Sequence, residues 1–148
     1  MKYKNLFSVQ IQDTVHKRKQ LTIKQCEEWL SLVAKNQSKI TLRIIDENES
    51  KRLNKQFRNK STPTNIFSFL MLEDPIEGDL VLCHPVIKKE AKAQNKKIRD
   101  HYAHLIIHGY LHLLGYDHQN NADADKMEKM EIKILSKFNI NDPYKDYK

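Results

Sequence analysis

The 148-residue sequence predicts an α+β domain, and three observations carry that expectation. Short alternating or β-branched runs fall before residue 84. Helical apolar patterns dominate after it, giving the order βαβαββααα. No linker, repeat or low-complexity tract divides the chain. Residues 1–148 therefore read as a single domain with a small mixed four-stranded sheet and five flanking helices.

Each element has its own signal. Leu6 to Ile11 alternates between two faces and reads as a strand. Thr22 is placed to cap a helix whose apolar face is Cys26, Trp29, Leu30 and Val33. Ile40 to Ile45 is a β-branched second strand, and Asp46 caps a helix running through Leu53 and Phe57. Pro63 is expected to stop that helix before a third strand, Ile66 to Leu72. Pro75 and Gly78 read as a turn into a short fourth strand, Asp79 to Cys83. Pro85 opens a Lys-rich helix to Lys97. The next helix runs from Ile98 to Leu114 and ends at Gly115. The last runs from Asp123 to Phe138, with Met127, Met130, Ile134 and Phe138 inward and Asp123, Asp125, Glu128 and Glu131 on an acidic outer face.

Charge and cysteine content narrow the classes. The chain has 26 Lys+Arg against 19 Asp+Glu, a net charge of +7. Of the basic residues 21 are Lys and 5 are Arg, the bias an AT-rich genome gives any protein. The charge admits a polyanionic partner without establishing one. Cys26 and Cys83 are too few for a disulfide framework, and the first residues turn polar too soon for a signal peptide. No window reaches the ~18 apolar residues of a membrane span. The expectation is a reduced, cytoplasmic protein with no membrane association.

The chemistry concentrates in His108-Gly109-Tyr110-Leu111-His112-Leu113-Leu114-Gly115-Tyr116-Asp117-His118. His108 and His112 are one helical turn apart, roughly 40° apart around the axis, so both imidazoles reach one ion. Gly115 lets the chain leave the helix through positive φ, and His118 swings back as a third ligand. Three imidazoles and an open position describe a catalytic rather than a structural zinc site. They also accept nickel, copper or iron. The spacing is that of a zinc peptidase, but the glutamate that follows the first His is replaced by Gly109, so the peptidase base is missing. His104, one turn earlier, reads as a fourth ligand, a supporting hydrogen-bond partner of the ligands or a packed side chain, with the supporting role favoured, and His101 and His84 read as solvent or packing residues.

The histidine block resembles the metal motif of the YbeY family, bacterial endoribonucleases of rRNA maturation. Leu53-Asn54-Lys55-Gln56-Phe57-Arg58, then Thr62-Pro63-Thr64-Asn65-Ile66-Phe67-Ser68-Phe69, then Gly78-Asp79-Leu80, extend the resemblance across residues 50–118. The chain departs from the family pattern at Ser61 and Asn65, where the family has Asp, and at Leu70, where it has Pro. The resemblance implies a zincin-like α+β fold and a divalent metal, zinc, on His108, His112 and His118. It further implies cleavage of single-stranded RNA in 16S rRNA 3′-end processing and ribosome quality control. Implied partners are ribosomal RNA, small-subunit ribosomal proteins and a ribosome-assembly GTPase.

Within that frame the catalytic candidates are Arg58 and the three histidines. Arg58 suits a phosphate clamp, because its planar fork pairs bidentately with phosphate. Thr64 and Ser68 are candidate donors to the RNA backbone, or donors that satisfy strand edges. Asp117 is placed to orient a ligand or accept a proton, or to cap the next turn. Lys88, Lys92 and Lys96, at i, i+4 and i+8, form a stripe that follows an RNA backbone or a solvated Lys face. Lys17, Arg18 and Lys19 are a weaker basic group. Two further classes compete with the nuclease. One is a non-catalytic, metal-stabilised ribosome-assembly factor, which shares every feature except the open coordination position. The other is an unusual metallopeptidase, opposed by Gly109. A nucleoside deaminase lacks its H-x-E and P-C-x-x-C pattern.

Overall fold

The computed structural model describes residues 7–16, 21–34, 38–117 and 119–145. Four strands, β1 (Ser8–Asp13), β2 (Lys39–Ile45), β3 (Ile66–Glu73) and β4 (Ile76–Cys83), form one sheet in the order β1-β2-β4-β3. β1, β2 and β4 run parallel, and β3 pairs antiparallel with β4 at the edge. Five helices complete the order βαβαββααα: α1 (Ile23–Leu30), α2 (Glu47–Arg58), α3 (His84–Ala93), α4 (Ile98–Leu113) and α5 (Asn121–Ser136). The fold is the mixed α+β architecture expected from the sequence. No helix among the described residues is long and apolar enough to cross a membrane.

Caps set the helix starts. Thr22 accepts from Gln25 N–H at 3.1 Å, and Asp46 accepts from Glu49 N–H at 2.8 Å. α2 ends at Asn59, whose φ of 55° places it in the left-handed region, four residues before the expected stop at Pro63. Two buried polar side chains of α2 then fix the loop that follows. Ser50 Oγ donates to the Thr64 carbonyl and accepts from its N–H, both at 2.9 Å, and Asn54 Nδ2 donates to the Thr62 carbonyl at 2.7 Å.

Three further boundaries are corrected. β1 is shifted toward Asp13, and Leu6 lies outside the described residues. Gly78 is inside β4 rather than in a turn. A Cβ there would come within 2.8 Å of Leu113 Cδ1 and 2.9 Å of the Phe69 carbonyl, so the absent side chain is what lets α4 close on the sheet. The hairpin turn is instead Asp74-Pro75, and a bulge interrupts β3 between Leu70 and Leu72. α3 stops at Ala93, with Asn95 at positive φ, so it falls short of Lys97.

α4 is the central element. Tyr102, Ala103, Leu105, Ile106, Ile107, Tyr110, Leu111 and Leu113 are all buried around it. It packs on β3, β4, α1, α3 and α5. A helix apolar on nearly every face belongs in the interior, and each fully buried Leu or Ile stabilises by about 1.5–3 kcal/mol. The histidines occupy the one polar line left on this helix.

Candidate metal centre

Four histidines stand along α4 at positions 101, 104, 108 and 112. Successive ring centroids are 6.1, 6.0 and 4.6 Å apart. His108 and His112 face one another, with Nε2 atoms 3.1 Å apart. Their other nitrogens decide what that distance means. His112 Nδ1 lies 3.0 Å from the Tyr116 carbonyl, which only accepts, so Nδ1 carries the proton. His108 Nδ1 lies 3.1 Å from Glu131 Oε1, an ionised carboxylate that also only accepts. With Nδ1 of each ring so engaged, both rings turn Nε2 toward the same point. Two lone pairs at this separation repel unless a cation or a proton lies between them. Imidazole nitrogens about 2.0–2.1 Å from one zinc ion fit that spacing.

Glu131 is the residue that sequence reasoning placed wrongly. The acidic residues of α5 predict it on the outer face, but it is completely buried. Met127, Glu131, Ile134 and Leu135 are the buried residues of α5, so the carboxylate sits on the apolar stripe itself. Its Oε1 accepts from His104 Nε2 at 2.8 Å, from His108 Nδ1 and from the Tyr144 hydroxyl at 2.8 Å. Burial raises the carboxyl pKa, but the hydrogen bonds from His104 and His108 outweigh it and hold the pKa at about 2. Burial in turn lowers the His104 pKa, with the Glu131 hydrogen bond opposing. His104, His108 and Glu131 offer ligand atoms within 4.8 Å of one another, a cluster that can hold a metal ion. An acid on an inward helical position, in a chain carrying a histidine line on another helix, is the sequence signal that would have found it.

The other candidates are dispersed. His118 lies outside the described residues, as do Lys17, Arg18 and Lys19. Asp117 is half-buried beside a 670 Å³ cleft that Tyr116, Leu114 and Met130 also line. Arg58 is exposed at the end of α2, its Cζ 4.7 Å from the centroid of the Phe67 ring. Ser50 pins the Thr64 backbone, while Ser68 stands against α4 at Gly109. Lys88 and Lys92 are exposed on α3, but Lys96 lies beyond the helix end and is half-buried. The i, i+8 stripe is thus broken, and burial lowers the Lys96 pKa.

His101 and Asn65 belong to a second polar group. His101 Nε2 lies 2.8 Å from Glu90 Oε1, and Asn65 Nδ2 donates to the same carboxylate at 3.1 and 3.3 Å. Of the two readings of His101, solvent-facing or packed, the structure gives the packed one, with Glu90 as its hydrogen-bond partner.

Fold and centre together define an α+β domain whose buried central helix presents a histidine–carboxylate cluster fit for a metal ion. The chain matches the family described as Endoribonuclease YbeY over residues 6–139, and it belongs to that family. It is 40% identical to the endoribonuclease YbeY of Coxiella burnetii (strain RSA 493 / Nine Mile phase I), over 95% of this chain and all of the relative. It is 43% identical to that of Cupriavidus metallidurans, over 93% of this chain and 72% of the relative. The solution structure of TM1509 from Thermotoga maritima shares the fold, with a TM-score of 0.60 at 23% identity, covering 88% and 91% of the two chains.

Proposed function

We propose that this chain is a metal-dependent, single-strand-specific endoribonuclease of 16S rRNA 3′-end maturation and ribosome quality control. One observation supports the metal dependence: the Nε2 atoms of His108 and His112 meet at 3.1 Å. Family membership supports RNA as the substrate. On this reading residues 1–148 work as one cytoplasmic catalytic domain, with ribosomal RNA, small-subunit proteins and a ribosome-assembly GTPase as partners.

His108, His112 and His118 would hold the ion, which is zinc on this reading. When bound, it supplies Lewis-acid polarisation of a phosphoryl oxygen. The remaining work falls to the protein. Arg58 pairs with a phosphate through its planar fork, its guanidinium lying over the Phe67 ring. Tyr116 and Glu131 hold the two imidazoles in the required tautomer. Gly109 leaves no room beside His108 for a peptidase glutamate, which favours phosphodiester over peptide chemistry.

The test is cleavage of a labelled single-stranded RNA that carries the 3′ region of precursor 16S rRNA. Wild type and His112→Ala are purified identically and assayed with and without chelator. Cleavage by wild type alone, lost on chelation and restored by zinc, is expected. Equal cleavage by both proteins would overturn the reading.

A further inference from the structure

Three hydrogen-bond donors converge on one oxygen of a fully buried carboxylate, and they come from different parts of the chain. His104 and His108 reach Glu131 Oε1 from α4, and Tyr144 reaches it from the segment after α5. Tyr144 is itself held in place, with its N–H donating to Asp142 Oδ1 at 2.8 Å and its ring edge-on to His104 at a centroid distance of 5.3 Å.

We propose that Glu131 is a positioning residue. Its carboxylate, locked by His104 and Tyr144, fixes the His108 imidazole with the proton on Nδ1, so that Nε2 turns its lone pair toward a metal ion shared with His112. This rests on the metal-dependent reading above and deepens it. The alternative, direct coordination by His104, His108 and Glu131, is disfavoured by the protons. Every group reaching Oε1 already carries a hydrogen aimed at that oxygen, so an ion there displaces three hydrogen bonds. An ion between the two Nε2 atoms instead meets two lone pairs and leaves all three hydrogen bonds in place. Ligating histidines commonly donate their second N–H to a carboxylate, which orients the ring and raises its basicity.

Two readouts test the assignment, and neither is catalytic. The first is the His108 tautomer in metal-free protein, read by long-range nitrogen–proton NMR correlations. Nδ1–H is expected in wild type, and a mixed population in Glu131→Gln. The second is zinc affinity, by competition with a chromogenic chelator, for wild type, Glu131→Gln, Tyr144→Phe and His112→Ala. Glu131→Gln is expected to bind zinc about 10- to 100-fold more weakly. Tyr144→Phe, which removes one hydroxyl and leaves the buried packing intact, is expected to lose less, in the same direction. His112→Ala is expected to lose binding. Wild-type affinity in both Glu131→Gln and Tyr144→Phe, with His112→Ala inactive in binding, would overturn the positioning role and leave the metal site standing. Full binding by His112→Ala, with loss in Glu131→Gln, would make Glu131 a direct ligand and equally overturn it. Failure of wild type to bind zinc would overturn the underlying reading.

Discussion

Ser68 stands directly against Gly109. A Cβ built on Gly109 would lie 3.0 Å from Ser68 Oγ, and 2.9 Å from both Ile66 Cδ1 and Leu80 Cδ2. The residue after His108 is therefore the point where the central helix presses directly on the sheet. Gly109→Ala is expected to lower stability by about 1–3 kcal/mol, since the neighbours are packed side chains and must shift. Gly109→Glu should not fold to a native-like state. Denaturant titration of the two variants checks both expectations, and an unchanged midpoint for Gly109→Ala would contradict the packing argument.

Arg58 separates function from stability. Its side chain is exposed, so Arg58→Ala should change stability by no more than about 0.5–1 kcal/mol, the scale of an exposed cation–π contact. If it clamps a phosphate as charge develops, RNA cleavage should fall about 100-fold or more. Arg58→Lys should recover little, because an ammonium cannot reproduce the fork. Single-turnover cleavage with wild-type and variant proteins decides the matter.

The lysines of α3 divide in the same way. Lys88 and Lys92 are exposed on the helix, whereas Lys96 is half-buried past its end. Replacing both Lys88 and Lys92 with Ala should reduce the salt dependence of RNA binding, by a slope of about 0.7 for each single-strand phosphate that is no longer neutralised. Lys96→Ala should leave that slope unchanged. Fluorescence anisotropy across a salt series measures it.

Glu90 supplies a pH signature away from the histidine centre. Burial raises its pKa, but the His101 and Asn65 hydrogen bonds overcome this and leave the folded-state value below the ordinary one. A carboxylate with a depressed folded pKa stabilises above its unfolded value and loses that contribution as the pH falls. Wild type should therefore lose stability below about pH 4.5 more steeply than Glu90→Gln. Asn65→Asp would set a second carboxylate where the Asn65 amide now donates to the first. It should lower the melting temperature at neutral pH, with the deficit shrinking on acidification. Thermal melts from about pH 3 to 8 test both variants.

Much of this was legible in the sequence because local signals and tertiary packing agree. Thr22 and Asp46 cap as their chemistry requires, and Gly115 leaves α4 at a φ of 102°. The departures arise where packing overrides a local signal. Gly78 looks like turn punctuation, yet its missing side chain serves the contact with Leu113 inside a strand. Glu131 looks like a surface acid by residue type, and only its position four after Met127 and three before Ile134 marks it as inward. Lys96 continues an i, i+4 count that the positive φ at Asn95 has already ended. In the candidate centre, spacing pointed to His108, His112 and His118, and the described residues bring the first two together. The carboxylate that holds His108, and the Tyr144 hydroxyl that holds that carboxylate, come from sequence-distant segments that no periodicity links.

The bulge in β3 has a consequence for how the molecule behaves in a crowd. β3 is one of the two edge strands of the sheet, and Leu70, Met71 and Leu72 are 43%, 63% and 44% exposed there. A straight, apolar outer strand offers a neighbouring chain a ready-made zipper. The one-residue slip between Leu70 and Leu72 breaks the spacing of the free backbone groups at the greasiest part of that rim. The irregularity thereby makes this rim a poorer template for a second copy just where its apolar side chains are most exposed.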